Sequence, residues 1–201
     1  MPSPVGHALA GVAVALAGNR QPTPFSFRRF LRQPLTLWAV ALAALPDADL
    51  LLPGFHRSVT HSVFTTLAIT ILAIAVTGKV TRAGLGARDS DVGWRIAWGV
   101  VLMCAAAHAS HIVLDWLGAD QSRPAGIRAL WPWSDRWYIS GWDVFPRTER
   151  YRMFSGASIA INLRTLAWEL LLMGPIVAAL SWWRVRQEKP RTPQGHEANN
   201  P

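Results

Sequence analysis

The distribution of charge along the chain constrains its fold more than any other feature. No Lys, Arg, Asp or Glu occurs in five stretches, 1–19, 33–46, 58–78, 96–114 and 170–183. Charged residues make up only 16% of the 201 residues, whereas an ordinary soluble domain has about 25%. Long uncharged apolar runs are typical of helices that cross a membrane. The sequence therefore predicts a membrane protein of one domain, and it excludes the disordered, collagen-like and coiled-coil classes.

The apolar runs predict where the helices lie. We expect an all-α, polytopic membrane bundle of about four to five helices, with runs at 5–18, 35–52, 61–77, 96–117 and 159–183. Pro46 has no amide hydrogen, so the second helix should kink or end there. The stretch 118–158 between the last two runs contains four tryptophans and Tyr138, which predicts a long loop at the membrane interface. We expect one domain over 1–183 and a polar, disordered tail over 184–201.

The basic residues predict the orientation of this bundle. Residues 20–34, 79–95 and 184–191 contain four Lys or Arg each. Five crossings place all three blocks on one side of the membrane, and the excess of Lys and Arg makes that side cytoplasmic. The net charge of +8 is explained by this arrangement, so we expect no nucleic-acid partner.

Histidines and aspartates in or beside the apolar runs gather on one face of the predicted bundle. Because the crossings alternate, the start of the first run, the end of the second, the start of the third and the far half of the fourth share a face. That face is extracytoplasmic in the predicted orientation. The residues placed there are His7, Asp47, Asp49, His56, His61, His108, His111 and Asp115.

The fourth run carries the most informative spacing. His108, His111 and Asp115 follow each other at i, i+3 and i+7, which places them on one helix face. An ionised aspartate within a membrane helix costs about 2.5–3.5 kcal/mol, so it normally faces a partner or a cavity. Imidazole and carboxylate groups without a thiol favour zinc, manganese or iron over calcium.

Several of these residues have simpler explanations when each is taken alone. Asp47 or Asp49 would serve as a helix cap or a turn residue after Pro46, and His61 would cap the third helix. His7 alone would be a polar residue near a terminus. Helix caps, however, have no reason to collect histidines and aspartates on one face. The whole set therefore favours a metal site.

The same residues lie in an ordered set of motifs that covers about residues 5–133. The motifs are Gly6-His7-Ala8, Leu45-Pro46-Asp47-Ala48-Asp49, His56-Arg57-Ser58-Val59-Thr60-His61-Ser62, His111-Ile112-Val113-Leu114-Asp115 and Gly126-Ile127-Arg128-Ala129-Leu130-Trp131-Pro132. This set resembles the YdjM-type, inner-membrane-associated metal-dependent hydrolases, and His108 lies outside the pattern. The resemblance implies a metal-dependent hydrolase in the inner membrane of a bacterium.

A looser likeness connects the His-x-x-x-Asp helix with zinc-dependent phospholipase C enzymes. Those enzymes also have a His-x-x-x-Glu helix, which has no counterpart here because Thr165 stands four residues before Glu169. A site with three metal ions is therefore not expected from this likeness.

Together these features predict a membrane hydrolase that uses a divalent metal, zinc first, with manganese or iron as alternatives. The expected ligands are His7, Asp47, Asp49, His56, His61, His111 and Asp115, with His108 as a further candidate. We expect Asp47 or Asp49 to accept a proton from water, and Arg57 to bind a phosphate. The expected substrate is a membrane lipid or a lipid-linked phosphoester, or a related ester.

Two functions from other classes remain open at this stage. One is a membrane transporter that binds ions or metals, because intramembrane His and Asp residues also form ion pathways. The inner halves of the last three runs are nearly all apolar, which argues against such a pathway. The other is a non-catalytic membrane scaffold in which a structural metal joins helices. The sequence does not predict an oligomeric state.

Overall fold

The helices account for most of the structure. The computed structural model describes residues 1–19, 24–51, 57–84, 90–150 and 154–187. Within these ranges there are no strands, only two isolated β-bridges, so the predicted all-α class is confirmed. The helices are α1 (Pro4–Gly18), α2 (Phe27–Leu31), α3 (Pro34–Ala44), α4 (Val63–Gly84), α5 (Ser90–Leu117) and α6 (Gly156–Arg186), and a 3-10 helix spans Leu45–Leu51.

The second apolar run changes its helix type near Pro46. Helix α3 ends at Ala44, and the chain continues directly as the 3-10 helix. Proline offers no amide hydrogen to the α-helical ladder, and 3-10 turns commonly finish α-helices. This 3-10 helix carries Asp47 and Asp49 just beyond the end of α3.

The short helix α2 was not predicted from the sequence. It spans only five residues, FRRFL, which is too short to show a hydrophobic period. Phe30 is buried in an apolar cluster that also contains Leu16 of α1 and Met103 of α5. Tertiary packing of one aromatic ring, rather than local periodicity, explains this helix.

Helix α1 contacts α3, α5 and α6, and glycine lets it approach α3 closely. A Cβ atom at Gly11 would lie 2.7 Å from the Cα of Val40 and 2.8 Å from the carbonyl oxygen of Ala39. Small residues commonly permit such close helix packing in membranes. This approach fixes α1, and with it His7, relative to the end of α3.

Large apolar side chains cover much of the outer surface of the helices. Gly93–Leu117 and Gly156–Arg186 are long and apolar enough to cross a membrane. Only 33% and 22%, respectively, of the residues in their 18-residue apolar segments are buried. On α4, Ile71 and Leu72 are 67% and 63% exposed. Soluble monomers rarely expose contiguous apolar surface of this kind. The outer surface therefore suits contact with lipid.

The stretch after α5 folds back on the end of the bundle. Gly118 pairs with Phe145, and Ile127 pairs with Tyr138, in isolated β-bridges. The amide of Val63, at the start of α4, donates to the carbonyl of Ala129 at 2.9 Å. This part of the stretch 118–158, called the Trp-rich stretch below, thereby lies against the start of α4.

Candidate metal centre

Five ionisable side chains from four segments meet at one end of the helices. They are His7 of α1, Asp47 of the 3-10 helix, His61 just before α4, and His111 and Asp115 of α5. Asp47 is 8% exposed, and the other four are fully buried. The structure thus brings together residues that the sequence predicted to share a face.

The carboxylate of Asp115 lies among all three imidazoles. Its Oδ1 is 3.4 Å from His7 Nε2. Its Oδ2 is 3.2 Å from His61 Nε2 and 3.2 Å from His111 Nε2. His111 and Asp115 are one helical turn apart, so α5 aims both groups to the same point.

Asp47 also approaches two of these imidazoles. One of its oxygens is 3.9 Å from His7 Nε2, and the other is 4.0 Å from His61 Nε2. Zinc binds nitrogen and oxygen at about 2.0–2.2 Å, so two ligands of one ion are at most about 4.4 Å apart. The distances from Asp47 and Asp115 to the imidazoles satisfy this limit.

The second nitrogen of His111 contacts the backbone. His111 Nδ1 lies 2.7 Å from the carbonyl oxygen of Ala43. A carbonyl only accepts, so Nδ1 carries the proton in this contact, and Nε2 presents its lone pair to Asp115 and the other imidazoles. Metal-binding histidines are usually oriented by such a contact.

His61 is oriented in the same manner by a carboxylate. Its Nδ1 lies 3.2 Å from Asp49 Oδ2 and 3.0 Å from Thr60 Oγ1. Asp49 Oδ2 also accepts hydrogen bonds from Thr60 Oγ1 and, at 3.0 Å, from the amide of Arg57. Asp47 therefore faces Nε2 of His61, while Asp49 lies behind the ring at Nδ1.

Several buried atoms of this cluster form no hydrogen bond within the described part of the chain. They are both ring nitrogens of His7, both oxygens of Asp47, both oxygens of Asp115 and Nε2 of His111. Buried polar groups are normally hydrogen-bonded, and buried charges are normally paired or coordinate a metal. Three imidazoles and two carboxylates without a thiol match the donor preferences of zinc, manganese and iron.

Two of the predicted residues make other contacts. His108 Nδ1 lies 2.8 Å from Thr66 Oγ1 and so joins α5 to α4. Arg57 donates from its guanidinium to Asp120, to Ser122 Oγ and to the carbonyl of Gly126. The contacts of Arg57 tie the segment that carries His61 to the Trp-rich stretch. His56 lies outside the described residues.

Two contacts of the centre were not predicted from the sequence. Arg150 Nη2 lies 3.5 Å from Asp47 Oδ1, although in the sequence Arg150 is only one of six basic residues in 118–158. The backbone carbonyl of Ala43 leaves no side-chain signal at all. Both contacts depend on tertiary structure.

Glu169 of α6 lies beside the start of α1, the helix that carries His7. It is fully buried, and its carboxylate accepts hydrogen bonds from the amide and the hydroxyl of Ser3. Ser3 also caps α1, because its hydroxyl accepts from the amide of Gly6 at 3.3 Å. Glu169 thus anchors the start of the helix that carries His7.

Comparison with known proteins relates most of the chain to one family. The family model of the YdjM inner membrane protein matches residues 1–189. The inner membrane protein YbcI of Escherichia coli strain K12 is 27% identical over 200 residues, which cover 92% of this chain and 100% of YbcI. No solved structure matches the chain. With residues 1–189 matched by the family model, the chain belongs to the YdjM inner membrane protein family.

Proposed function

We propose that this protein is a membrane-bound, metal-dependent hydrolase of a lipid or a lipid-linked phosphoester, or a related ester. The observation that carries the proposal is the convergence of three imidazole Nε2 atoms on Asp115, with Asp47 beside them. Family membership supports an inner-membrane location, and the exposed apolar faces of the helices support embedding in lipid. The likeness to zinc-dependent phospholipase C remains a prediction.

The proposed ligands are His7, His61, His111, Asp115 and Asp47, and the proposed ion is zinc, with manganese or iron as alternatives. A bound divalent ion lowers the pKa of its water toward about 7 and polarises the ester under attack. The protein contributes the orientation of the imidazoles, through the carbonyl of Ala43 and the carboxylate of Asp49.

Asp47 and Asp49 have separate roles in this proposal. Asp49 holds His61 through Nδ1 and is itself held by Thr60 and the amide of Arg57, so it positions a ligand. Asp47 faces the centre with both oxygens. A carboxylate that binds an ion through one oxygen keeps lone pairs on the other. Asp47 therefore combines ligation with acceptance of the water proton.

The Trp-rich stretch is proposed to lie at the level of the lipid headgroups and to cover the centre. Trp133 and Trp142 are 67% and 71% exposed, and tryptophan prefers the membrane interface. Phe64 at the start of α4 packs edge-on against Trp131 and Trp133. Arg57 ties the same stretch to the segment that carries His61. A substrate that approaches from the lipid would therefore meet these rings first.

A membrane scaffold with a structural metal is the second candidate. The observation that favours it is the burial of the cluster, because only Asp47 has measurable exposure, at 8%. Structural metal sites are closed, whereas catalytic sites keep a position open for water and substrate. The two candidates agree on the ligands and differ in turnover.

The experiment combines metal analysis with turnover on purified full-length protein in detergent. Asp115→Ala and His61→Ala should lose the metal and all hydrolysis of phospholipid and lipid-linked phosphoester substrates. His108→Ala is the matched control, because this buried histidine of α5 contacts Thr66 instead, and it should keep its metal. Full metal content with unchanged affinity in both ligand variants would refute the site. A metal that raises the melting temperature without turnover on any of these substrates would favour the scaffold.

A further inference from the structure

A cavity of about 500 Å³ shares one residue contact with the proposed metal centre, because its lining residue Arg150 lies 3.5 Å from Asp47. Its walls are formed by 119–122 and 147–150, together with Met1, Leu50 and Arg57. The volume lies in the range of about 300–1,000 Å³ that is typical of small-molecule sites. It is large enough for a polar headgroup.

Arg150 connects this cavity to the centre. It lines the cavity and places its Nη2 3.5 Å from Asp47 Oδ1. Arg147 lines the same wall, is 41% exposed, and lies 3.8 Å from a carboxylate oxygen of Glu149. The guanidinium of Arg57 is already bonded to Asp120, Ser122 and Gly126. Arg147 and Arg150 both line this wall, each with a carboxylate neighbour, and we expect their guanidinium groups to meet a ligand in the cavity.

Two acidic residues, Asp120 and Glu149, also line the cavity. Glu149 is the neighbour of Arg147, and Asp120 is held by donors of the wall itself. Asp120 accepts hydrogen bonds from Arg57, from Ser122 and from the amide of Gly126. Burial favours the neutral carboxyl, but these donors outweigh burial and hold the pKa of Asp120 below its usual value. The charge of Asp120 is therefore balanced inside the wall.

The backbone under the two arginines is fixed. The hydroxyl of Thr165 on α6 donates to the carbonyl of Arg147 at 2.8 Å. Asn162 exchanges two hydrogen bonds with the backbone of Glu149, at 2.8 and 3.0 Å. Three bonds to α6 therefore hold the segment that carries both guanidinium groups, which reduces the entropy cost of ordering them around a ligand.

We propose that this cavity binds the phosphate group of the substrate's headgroup, and that Arg147 and Arg150 recognise it beside Asp47. Guanidinium groups match phosphate oxygens with two parallel N–H donors, which is why arginine predominates in such sites. The inference rests on the proposed function, because it names the substrate class of the same centre. A lipid phosphomonoester headgroup and free phosphate share this chemistry.

The test measures binding rather than turnover, on full-length protein with equal metal content in every variant. Isothermal titration uses three probes, dihexanoyl phosphatidic acid, inorganic phosphate and dihexanoylglycerol. Arg147→Gln and Arg150→Gln should each weaken binding of phosphatidic acid by about 10- to 100-fold. Arg164→Gln, which removes one exposed charge from α6, should stay within about twofold of the wild type. Dihexanoylglycerol, which lacks phosphate, should bind equally to all four proteins.

The inorganic phosphate arm identifies the source of the ligand. Phosphate that binds and responds to both substitutions supports a site for the anion itself, and a response confined to phosphatidic acid supports a lipid headgroup. Unchanged affinity of Arg147→Gln for both phosphate probes overturns the inference. Arg147 is half-exposed and makes no contact with the centre among the described residues, so its replacement should leave the fold intact. Wild-type binding without hydrolysis refutes the proposed function instead, and hydrolysis without arginine-dependent binding refutes only this inference.

Discussion

Asp49 Oδ2 lies 3.2 Å from the Nδ1 atom of His61, on the side of the ring away from the nitrogen that faces Asp115. The two residues come from different segments, and the Thr60 hydroxyl and the Arg57 amide both donate to the same carboxylate oxygen. A carboxylate in this position fixes the ring orientation of a metal-binding histidine and raises its basicity. Of the two aspartates in the Pro-Asp-x-Asp motif, Asp47 therefore lies at the candidate centre, and Asp49 lies behind the ring of His61.

The first prediction concerns this pair. Asp49→Asn keeps the size of the side chain but removes its charge, so it should weaken metal binding by about 10- to 100-fold without emptying the site. Competition with a chromogenic chelator measures the affinity. Asp143→Asn is the control, because Asp143 is exposed and its φ of 49° is one that asparagine tolerates well. Equal affinities of the two variants would contradict the assigned role of Asp49.

The second prediction concerns the approach of α1 to α3. Gly11→Ala should lower the free energy of unfolding by about 1–3 kcal/mol, because the added methyl group meets the backbone of Val40 and Ala39. Gly99→Ala in α5 places its methyl group in open space and should raise stability by up to about 1 kcal/mol. Thermal melting in detergent compares the two. A Gly11→Ala protein as stable as the wild type would show that the helices are farther apart.

The third prediction concerns the acid sensitivity of the Trp-rich stretch. The folded-state pKa of Asp120 lies below its ordinary value of 3.8, because the donors around it favour the carboxylate. Its contribution to stability is therefore present above about pH 4 and is lost as the pH falls through the folded-state pKa. The difference in melting temperature between wild type and Asp120→Asn should be constant from pH 7 to about pH 5 and shrink below about pH 4. A difference that persists unchanged to lower pH would contradict this assignment.

The fourth prediction concerns orientation in the membrane. In a variant whose Cys104 is replaced by alanine, a cysteine at Trp142 should react with a membrane-impermeant maleimide in spheroplasts. A cysteine at Val185 should react only after permeabilisation, because the C-terminal end is predicted to be cytoplasmic. Both positions are accessible in the structure, at 71% and 53% exposure. The reverse labelling pattern would place the proposed metal centre on the cytoplasmic side.

Much of the helical organisation was predictable because apolar runs without charge leave few alternatives for the backbone. Each predicted run contains a helix, and the break near Pro46 follows from the chemistry of proline alone. The meeting of His7, His61 and Asp115 was also predictable, because the predicted alternation of the runs puts the ends of consecutive runs on one face. The short helix α2 was not, since its burial depends on partners from α1 and α5.

The sequence by itself determined which residue types gather at one end of the helices, because hydrophobic length and alternation are properties of the chain in order. Only the tertiary structure decided which atoms face each other. It placed Asp47 near Nε2 of His61 and Asp49 near Nδ1, paired Arg57 with Asp120, and brought Arg150 to within 3.5 Å of Asp47. Those outcomes depend on side-chain directions set by packing between distant segments, to about 1 Å, and no local pattern of residues specifies them.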